Sequence, residues 1–233
     1  MLRDDVGFGK RESMADFARV LGGMVDVVVA RAKSHATVEE LARYAECSVI
    51  NGLTDEAHPC QALADLYTIR ERLGDLRGRR LAWLGDGNNV AKSLARACSR
   101  TGMQLAVCTP PGYELGQSFI AGLGPGVDGF GLVETHDPRE AVTGAAAVYT
   151  DVWASMGQET EREKRKREFA DYQVNGQLMA AAPPEAMFMH CLPARRGEEV
   201  TDEVIDGPQS AVIRQATNRM HVQKGILAWL LGS

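Results

Sequence analysis

Short apolar runs rich in valine, leucine and alanine recur along the chain, with longer amphipathic stretches between them. The runs Val25 to Ala30, Ser48 to Asn51, Arg80 to Leu84, Gln104 to Cys108, Ala146 to Thr150 and Met187 to His190 are strand candidates. Several are apolar without alternation, the pattern of strands covered on both faces of a parallel sheet. Helix signals fall between them. Thr37 with Glu40 forms a capping box ahead of Leu41, and His58-Pro59 places proline in a first helical turn that Gly74 terminates. Asn88 or Asn89 caps a helix running to about Arg100, before Thr101-Gly102, and Asp137-Pro138 opens a short one. This rhythm predicts βαβ units and an α/β protein with a doubly wound parallel sheet. The glycine-rich segment Gly122 to Gly131 fits no phosphate loop and reads as a connection. Glu161 to Glu168, with mixed charge at helical spacing, reads as a solvated helix face. A fresh strand and glycine turn begin after Gly78, which puts the domain join on the Pro59 to Leu73 helix.

Composition changes the picture only by exclusion. Hydrophobic residues make up 45% and charged residues 24% of 233 positions, enough to bury a core in one large domain or two modest ones. A net charge of −5 argues against a general nucleic-acid binder, which needs excess lysine and arginine, but leaves room for a local arginine cluster on a phosphate. Cys47, Cys60, Cys98, Cys108 and Cys191 are odd in number and contain no CxxC pair, so they read as reduced thiols of a cytoplasmic protein rather than disulfides or a metal site. No run reaches the ~18 apolar residues of a membrane span, and the first residues lack a signal-peptide core.

In open α/β sheets ligands bind beyond the carboxyl ends of the strands. Five such ends deliver polar groups here: Arg31, His58 with Gln61, Asp86 to Asn89, Asp151 and Cys191. Arg31 suits a phosphate or a carbonyl oxygen, with a surface ion pair as the alternative. His58 at a helix start can donate to a carbonyl oxygen, and Gln61 shares its face one turn later. Gly85-Asp86-Gly87-Asn88-Asn89 begins like a dinucleotide fingerprint but lacks the third glycine, and paired asparagines better suit a small zwitterion. Asp151, followed by Trp153, Ser155, Met156 and Gly157, can pair with a substrate ammonium; a helix cap is the alternative. His190 beside Cys191 is no protease dyad, because adjacent strand residues point to opposite faces. The pattern asks for a phosphate-bearing electrophile and an amine acceptor.

Taken together, His58-Pro59-Cys60-Gln61, Gly85-Asp86-Gly87-Asn88-Asn89-Val90, Asp151-Val152-Trp153-Ala154-Ser155-Met156-Gly157 and His190-Cys191-Leu192-Pro193 resemble the motif set of the ornithine carbamoyltransferase family. Asn218-Arg219-Met220-His221-Val222-Gln223-Lys224 resembles its C-terminal helix, and the likeness runs in order from about Gly9 to the C-terminus. The resemblance implies carbamoyl transfer from carbamoyl phosphate to the δ-amine of L-ornithine, a step of arginine metabolism. It implies Arg31, His58, Gln61, Cys191, Leu192 and Arg219 as carbamoyl phosphate-binding residues, and Asn89, Asp151, Ser155 and Met156 as ornithine-binding ones. Arg31, His58 and Cys191 would be catalytic. It further implies no cofactor, no metal, and a homo-oligomer that is a trimer or a multiple of trimers. The expected architecture is two doubly wound parallel-sheet lobes: residues 1–70 binding carbamoyl phosphate, 71–213 binding ornithine, and 214–233 a C-terminal helix returning to the first lobe. The family's Ser-x-Arg-Thr motif does not occur in these residues, and Gly7 stands where the family often has a glutamine reaching a neighbouring subunit. The first lobe is therefore expected to be truncated, with the Val25 to Ala30 strand short of a neighbour. Competing expectations are a non-catalytic ornithine-binding module, a carbamoyltransferase for aspartate or putrescine, and, last, a dinucleotide oxidoreductase.

Overall fold

The computed structural model describes residues 12–154 and 159–232. The expectations for Gly7, Gly9, Ser155, Met156 and Gly157 lie outside them. The described chain runs α1 (Met14–Gly22), β1 (Val27–Arg31), α2 (His35–Tyr44), β2 (Ser48–Leu53), α3 (Pro59–Leu73), β3 (Arg80–Leu84), α4 (Asn89–Thr101), β4 (Gln104–Cys108), α5 (Gln117–Leu123), β5 (Gly131–Thr135), α6 (Pro138–Val142), β6 (Ala147–Thr150), α7 (Arg162–Glu168), α8 (Gly176–Met179), β7 (Met187–His190), α9 (Asp202–Ile205) and α10 (Val212–Leu230). Every strand pairing is parallel. β1 and β2 form a two-stranded sheet, and the other five lie in the order β5-β4-β3-β6-β7. The order reverses between β3 and β6, so the larger sheet is doubly wound and has its switch point at the carboxyl end of β3.

Period-two alternation splits the larger sheet's side chains between two cores. Trp83, Leu105, Tyr149 and Met189 pack on one face, with Ile69 of α3 and Leu94 of α4. Leu84, Ala106, Val148 and Phe188 pack on the other, with Val142 of α6 and Leu178 of α8. Both faces are covered, which is why these strands carry no polar alternation. The smaller sheet is more open: Val29 is exposed, and β1 pairs with β2 alone among the described residues. From β7 the chain passes into α10, which packs back on α3 through Asp65–Gln215, Thr68–Asn218 and Glu71–Arg214 contacts. Among the described residues, no helix is long and apolar enough to cross a membrane.

Three local expectations change and a fourth, the cap of α4, is narrowed to one residue. The strand at Gly131–Thr135 follows the glycine-rich stretch that reads only as a connection; its edge position and mixed composition hide it from an apolar-run search. The helix starts at His35 with Ser34 in the N-cap position but making no side-chain cap bond, and the His35 N–H donates to Asp55 Oδ1 at 2.9 Å, so Thr37 and Glu40 lie inside the helix rather than forming its box. The segment 161–168 is helical and largely exposed, but Arg165 is buried. Asn88, not Asn89, caps α4, its side chain accepting from the backbone N–H groups of Val90 and Ala91.

Candidate active site

The site forms where β1, β3, β6 and β7 end. Arg31 is the last residue of β1 and is exposed. His58 stands just before Pro59 at the start of α3 and is buried. Its backbone N–H donates to Ser93 Oγ of α4 at 2.8 Å, which locks the start of α3 against the larger lobe. Burial first, then the positive charges of Arg219 and Arg31, lowers the His58 pKa to about 4. The imidazole is therefore neutral near pH 7, a hydrogen-bonding group and not a proton reservoir. Its Nδ1 is buried without a partner.

One turn on, Gln61 is fully buried and donates from Nε2 to Asp65 Oδ1 at 2.8 Å, while its Oε1 has no partner. Burial raises the Asp65 carboxyl to about 7, against the lowering pull of Gln61 and Gln215. Gln215 of α10 donates to the same oxygen at 2.6 Å and accepts from the backbone N–H of His190 at 2.9 Å. A continuous hydrogen-bonded path thus links Gln61 to the end of β7.

At that end, His190 turns inward. Its Nδ1 accepts from the Leu192 N–H at 2.9 Å and its Nε2 faces Glu199 at 3.3 Å. Accepting through Nδ1 places the ring proton on Nε2, where it meets the carboxylate. Cys191 turns the other way, its thiol donating to Asp151 Oδ1 at 3.1 Å. Burial above all, and then Asp151, keeps the thiol pKa well above its ordinary value, so Cys191 is a hydrogen-bond donor rather than a thiolate. Of the two tasks its position allows, orienting suits it and deprotonating an amine does not. Leu192 sits at φ 57°, the single non-glycine at positive φ among the described residues, and the Leu192–Pro193 peptide is cis. A left-handed leucine costs ~1–3 kcal/mol and persists where its surroundings hold it, here through the bond to His190.

Asp151 completes this wall. It accepts from Cys191 and from Val152 N–H (2.8 Å) on one oxygen, and from Asn88 Nδ2 (3.1 Å) on the other. The helix-cap alternative fails, because no helix follows it directly. Asn89 donates to the Thr54 carbonyl at 2.7 Å and so straps the start of α4 to the β2–α3 loop. Arg219 of α10 lies near both groups of residues. Its charge acts on His58, Cys60 and Asp65, and with Cys191 and Leu192 it lines a cleft of about 570 Å³. Among the described residues, one Asp, His and Cys group has ligand-type atoms within 4.8 Å of one another: Asp151, His190 and Cys191. His190 is already engaged on both nitrogens and the thiol is held protonated, so the trio is committed to internal hydrogen bonds.

Four residues hold the site through contacts that the sequence does not show, and three of them (Asp65, Gln215 and Arg165) belong to none of the motifs above. Asn88 orients Asp151. Asp65 and Gln215 connect the walls; a polar residue four positions after Gln61 on a buried helix face was the available signal. Arg165 reaches from α7 to the turn after β3, pairing with Asp86 at 2.6 Å and donating to the Trp153 carbonyl at 3.0 Å, with its guanidinium over the Tyr113 ring. Gly87 lies in that turn, where an added Cβ would fall 2.6 Å from the Tyr113 carbonyl oxygen.

Comparison with known proteins gives a consistent result. Residues 2–71 match the family described as aspartate/ornithine carbamoyltransferase, carbamoyl-P binding domain, and residues 77–230 match its Asp/Orn binding domain. The chain is 56% identical over 230 residues to an ornithine carbamoyltransferase of Carboxydothermus hydrogenoformans, covering 98% of this chain and 74% of that one. It superposes on the crystal structure of ornithine carbamoyltransferase from Thermus thermophilus with a TM-score of 0.88 at 45% identity, covering 99% of this chain and 75% of the other. The Pyrococcus furiosus ornithine carbamoyltransferase gives 0.88 at 50% identity, with 97% and 72% covered.

Proposed function

The chain belongs to the aspartate/ornithine carbamoyltransferase family, and from that premise we propose that it transfers the carbamoyl group of carbamoyl phosphate to the δ-amine of L-ornithine, giving L-citrulline and phosphate. The observation that carries this reading is Arg219, whose charge acts on His58 while its side chain shares a cleft with the protonated Cys191 thiol beside Asp151. A cation suited to a phosphate-bearing electrophile thus lies beside a thiol–carboxylate pair suited to an amine.

Arg31 and Arg219 hold the phosphoryl oxygens, and neutral His58 donates to the carbamoyl oxygen, where negative charge develops. Gln61 Oε1, buried and unpartnered, accepts from the carbamoyl NH2. Leu192 offers its backbone carbonyl to the same group. Asp151, oriented by Cys191 and Asn88, holds an ammonium of ornithine, with Asn89, Ser155 and Met156 around the rest of the amino acid. The δ-nitrogen forms a bond to the carbamoyl carbon, the carbon–oxygen bond to phosphate breaks with its electron pair, and the proton shed by nitrogen leaves with phosphate or solvent. No covalent enzyme intermediate is needed, so the chain's contribution is positioning and electrostatic preorganisation.

Residues 1–70 form the carbamoyl phosphate lobe, 71–213 the ornithine lobe, and 214–233 the returning helix; the packing of α10 on α3 supports this division. The protein acts in the cytoplasm as a homo-oligomer, a trimer or a multiple of trimers. Exposed Val29, Ile213 and Trp229 support an assembly that covers them.

The test supplies the purified chain with carbamoyl phosphate and, in turn, ornithine, putrescine and aspartate, and assays the ureido product. Citrulline from ornithine is expected. Product with aspartate or putrescine in preference would reassign the acceptor, and ornithine binding without turnover would leave a non-catalytic module.

A further inference from the structure

The seam between α3 and α10 is buried and polar, and at its centre one carboxylate organises two amides. Asp65 is fully buried and receives Gln61 Nε2 and Gln215 Nε2 on the same oxygen, at 2.8 and 2.6 Å. A carboxylate accepts and does not donate, so both amides must turn their NH2 groups toward it. Their oxygens are thereby sent in two other directions. Gln215 Oε1 accepts from the His190 N–H, directly ahead of Cys191. Gln61 Oε1 is left buried with no partner. We propose that Asp65 is a positioning residue that sets both amides at once, so that Gln61 presents an acceptor to the carbamoyl NH2 while Gln215 anchors the turn carrying Cys191. This rests on the reading that Gln61 faces the carbamoyl group.

The charge state of Asp65 does not undo the arrangement. Its Oδ2 makes no close hydrogen bond, and the hydroxyl of buried Tyr149 is near enough to the carboxyl to interact with it. A proton taken up by Asp65 sits on that side and leaves the first oxygen free to accept from both amides. Without the carboxylate, the Gln61 amide loses the partner that tells its two ends apart. Flipped, it would meet the substrate's NH2 with its own, donor against donor.

The consequence is a specificity that can be read with two unreactive analogues, phosphonoacetamide and acetonylphosphonate, which differ by NH2 against CH3. The wild-type chain should bind phosphonoacetamide about tenfold more tightly in calorimetry, the worth of one well-formed hydrogen bond in a buried site. Asp65→Leu should abolish that preference while retaining acetonylphosphonate affinity within about twofold, and Asp65→Asn, which keeps an acceptor oxygen, should restore it. A purely structural role for Asp65 would weaken both analogues together. An undiminished preference in Asp65→Leu overturns the proposal, whereas absence of preference in the wild type overturns the assignment of Gln61 itself. Should Asp65→Leu fail to fold, the side-chain amide signals of Gln61 and Gln215 in 15N-labelled wild-type protein decide. Slow exchange of both supports the arrangement; rapid exchange of the Gln61 amide overturns it.

Discussion

The neutral state of His58 has a measurable cost in acid. Burial and two arginines lower its pKa to about 4 in the folded chain, while an unfolded histidine titrates near 6.5. A depressed folded pKa gives stability that is complete above the unfolded value and is lost as pH falls through the folded one. The full span, about 2.5 units at 1.36 kcal/mol each, is roughly 3 kcal/mol, and roughly 2 kcal/mol of it disappears between about pH 7.5 and pH 5. His58→Asn removes the titrating group and keeps the backbone bond to Ser93. Urea unfolding of both proteins, at one protein concentration across that pH range, isolates the contribution, since every other titrating group cancels in the difference. The wild type should lose about 2 kcal/mol more than the variant on acidification. Parallel losses, with the difference constant to within about 0.5 kcal/mol, would refute the reasoning and mean that His58 is charged or solvated in the folded chain.

Cys191→Ala removes the thiol that orients Asp151, so ornithine affinity should fall about tenfold with little change for phosphonoacetamide; calorimetry showing equal loss of both would contradict the assigned role. Arg31→Ala should raise the KM for carbamoyl phosphate and spare ornithine binding, and an unchanged KM would take Arg31 out of the site. Gly87→Ala drives a Cβ into the backbone of Tyr113 and Glu114, neither of which can swing aside, and should cost about 2 kcal/mol or more; an unaltered Tm would show that the turn after β3 gives way.

Much of the fold is legible in the sequence. β3, β4 and β7 have the expected bounds because they are buried on both faces and leave an unbroken apolar signature. β5 escaped because an edge strand with exposed Val133 need not be apolar throughout. The candidate site was legible as strand-end residues, since topology alone brings the ends of parallel strands to one rim. What one sequence could not give was the partner of each group. Arg165 reads as one charge among many in a charged helix, yet 79 residues earlier in the chain Asp86 holds it in a buried pair. Asp65 and Gln215 are 150 residues apart, and only the return of α10 brings them together.

The parallel arrangement also leaves an opposite rim that contributes none of the site residues described above. β1, β3, β6 and β7 run parallel within their sheets and supply the site from their carboxyl ends, so the turns that lead into these strands lie at the opposite ends. Thr143 and Gly144, between α6 and β6, are exposed, and an added Cβ at Gly144 would meet nothing within 4 Å. A fluorophore, an affinity tag or new chain termini placed at this turn would stand across the sheet from Asp151 and Cys191. The layout that concentrates the reaction on one side thus provides a handle on the other for immobilising or labelling the protein with its cleft left open.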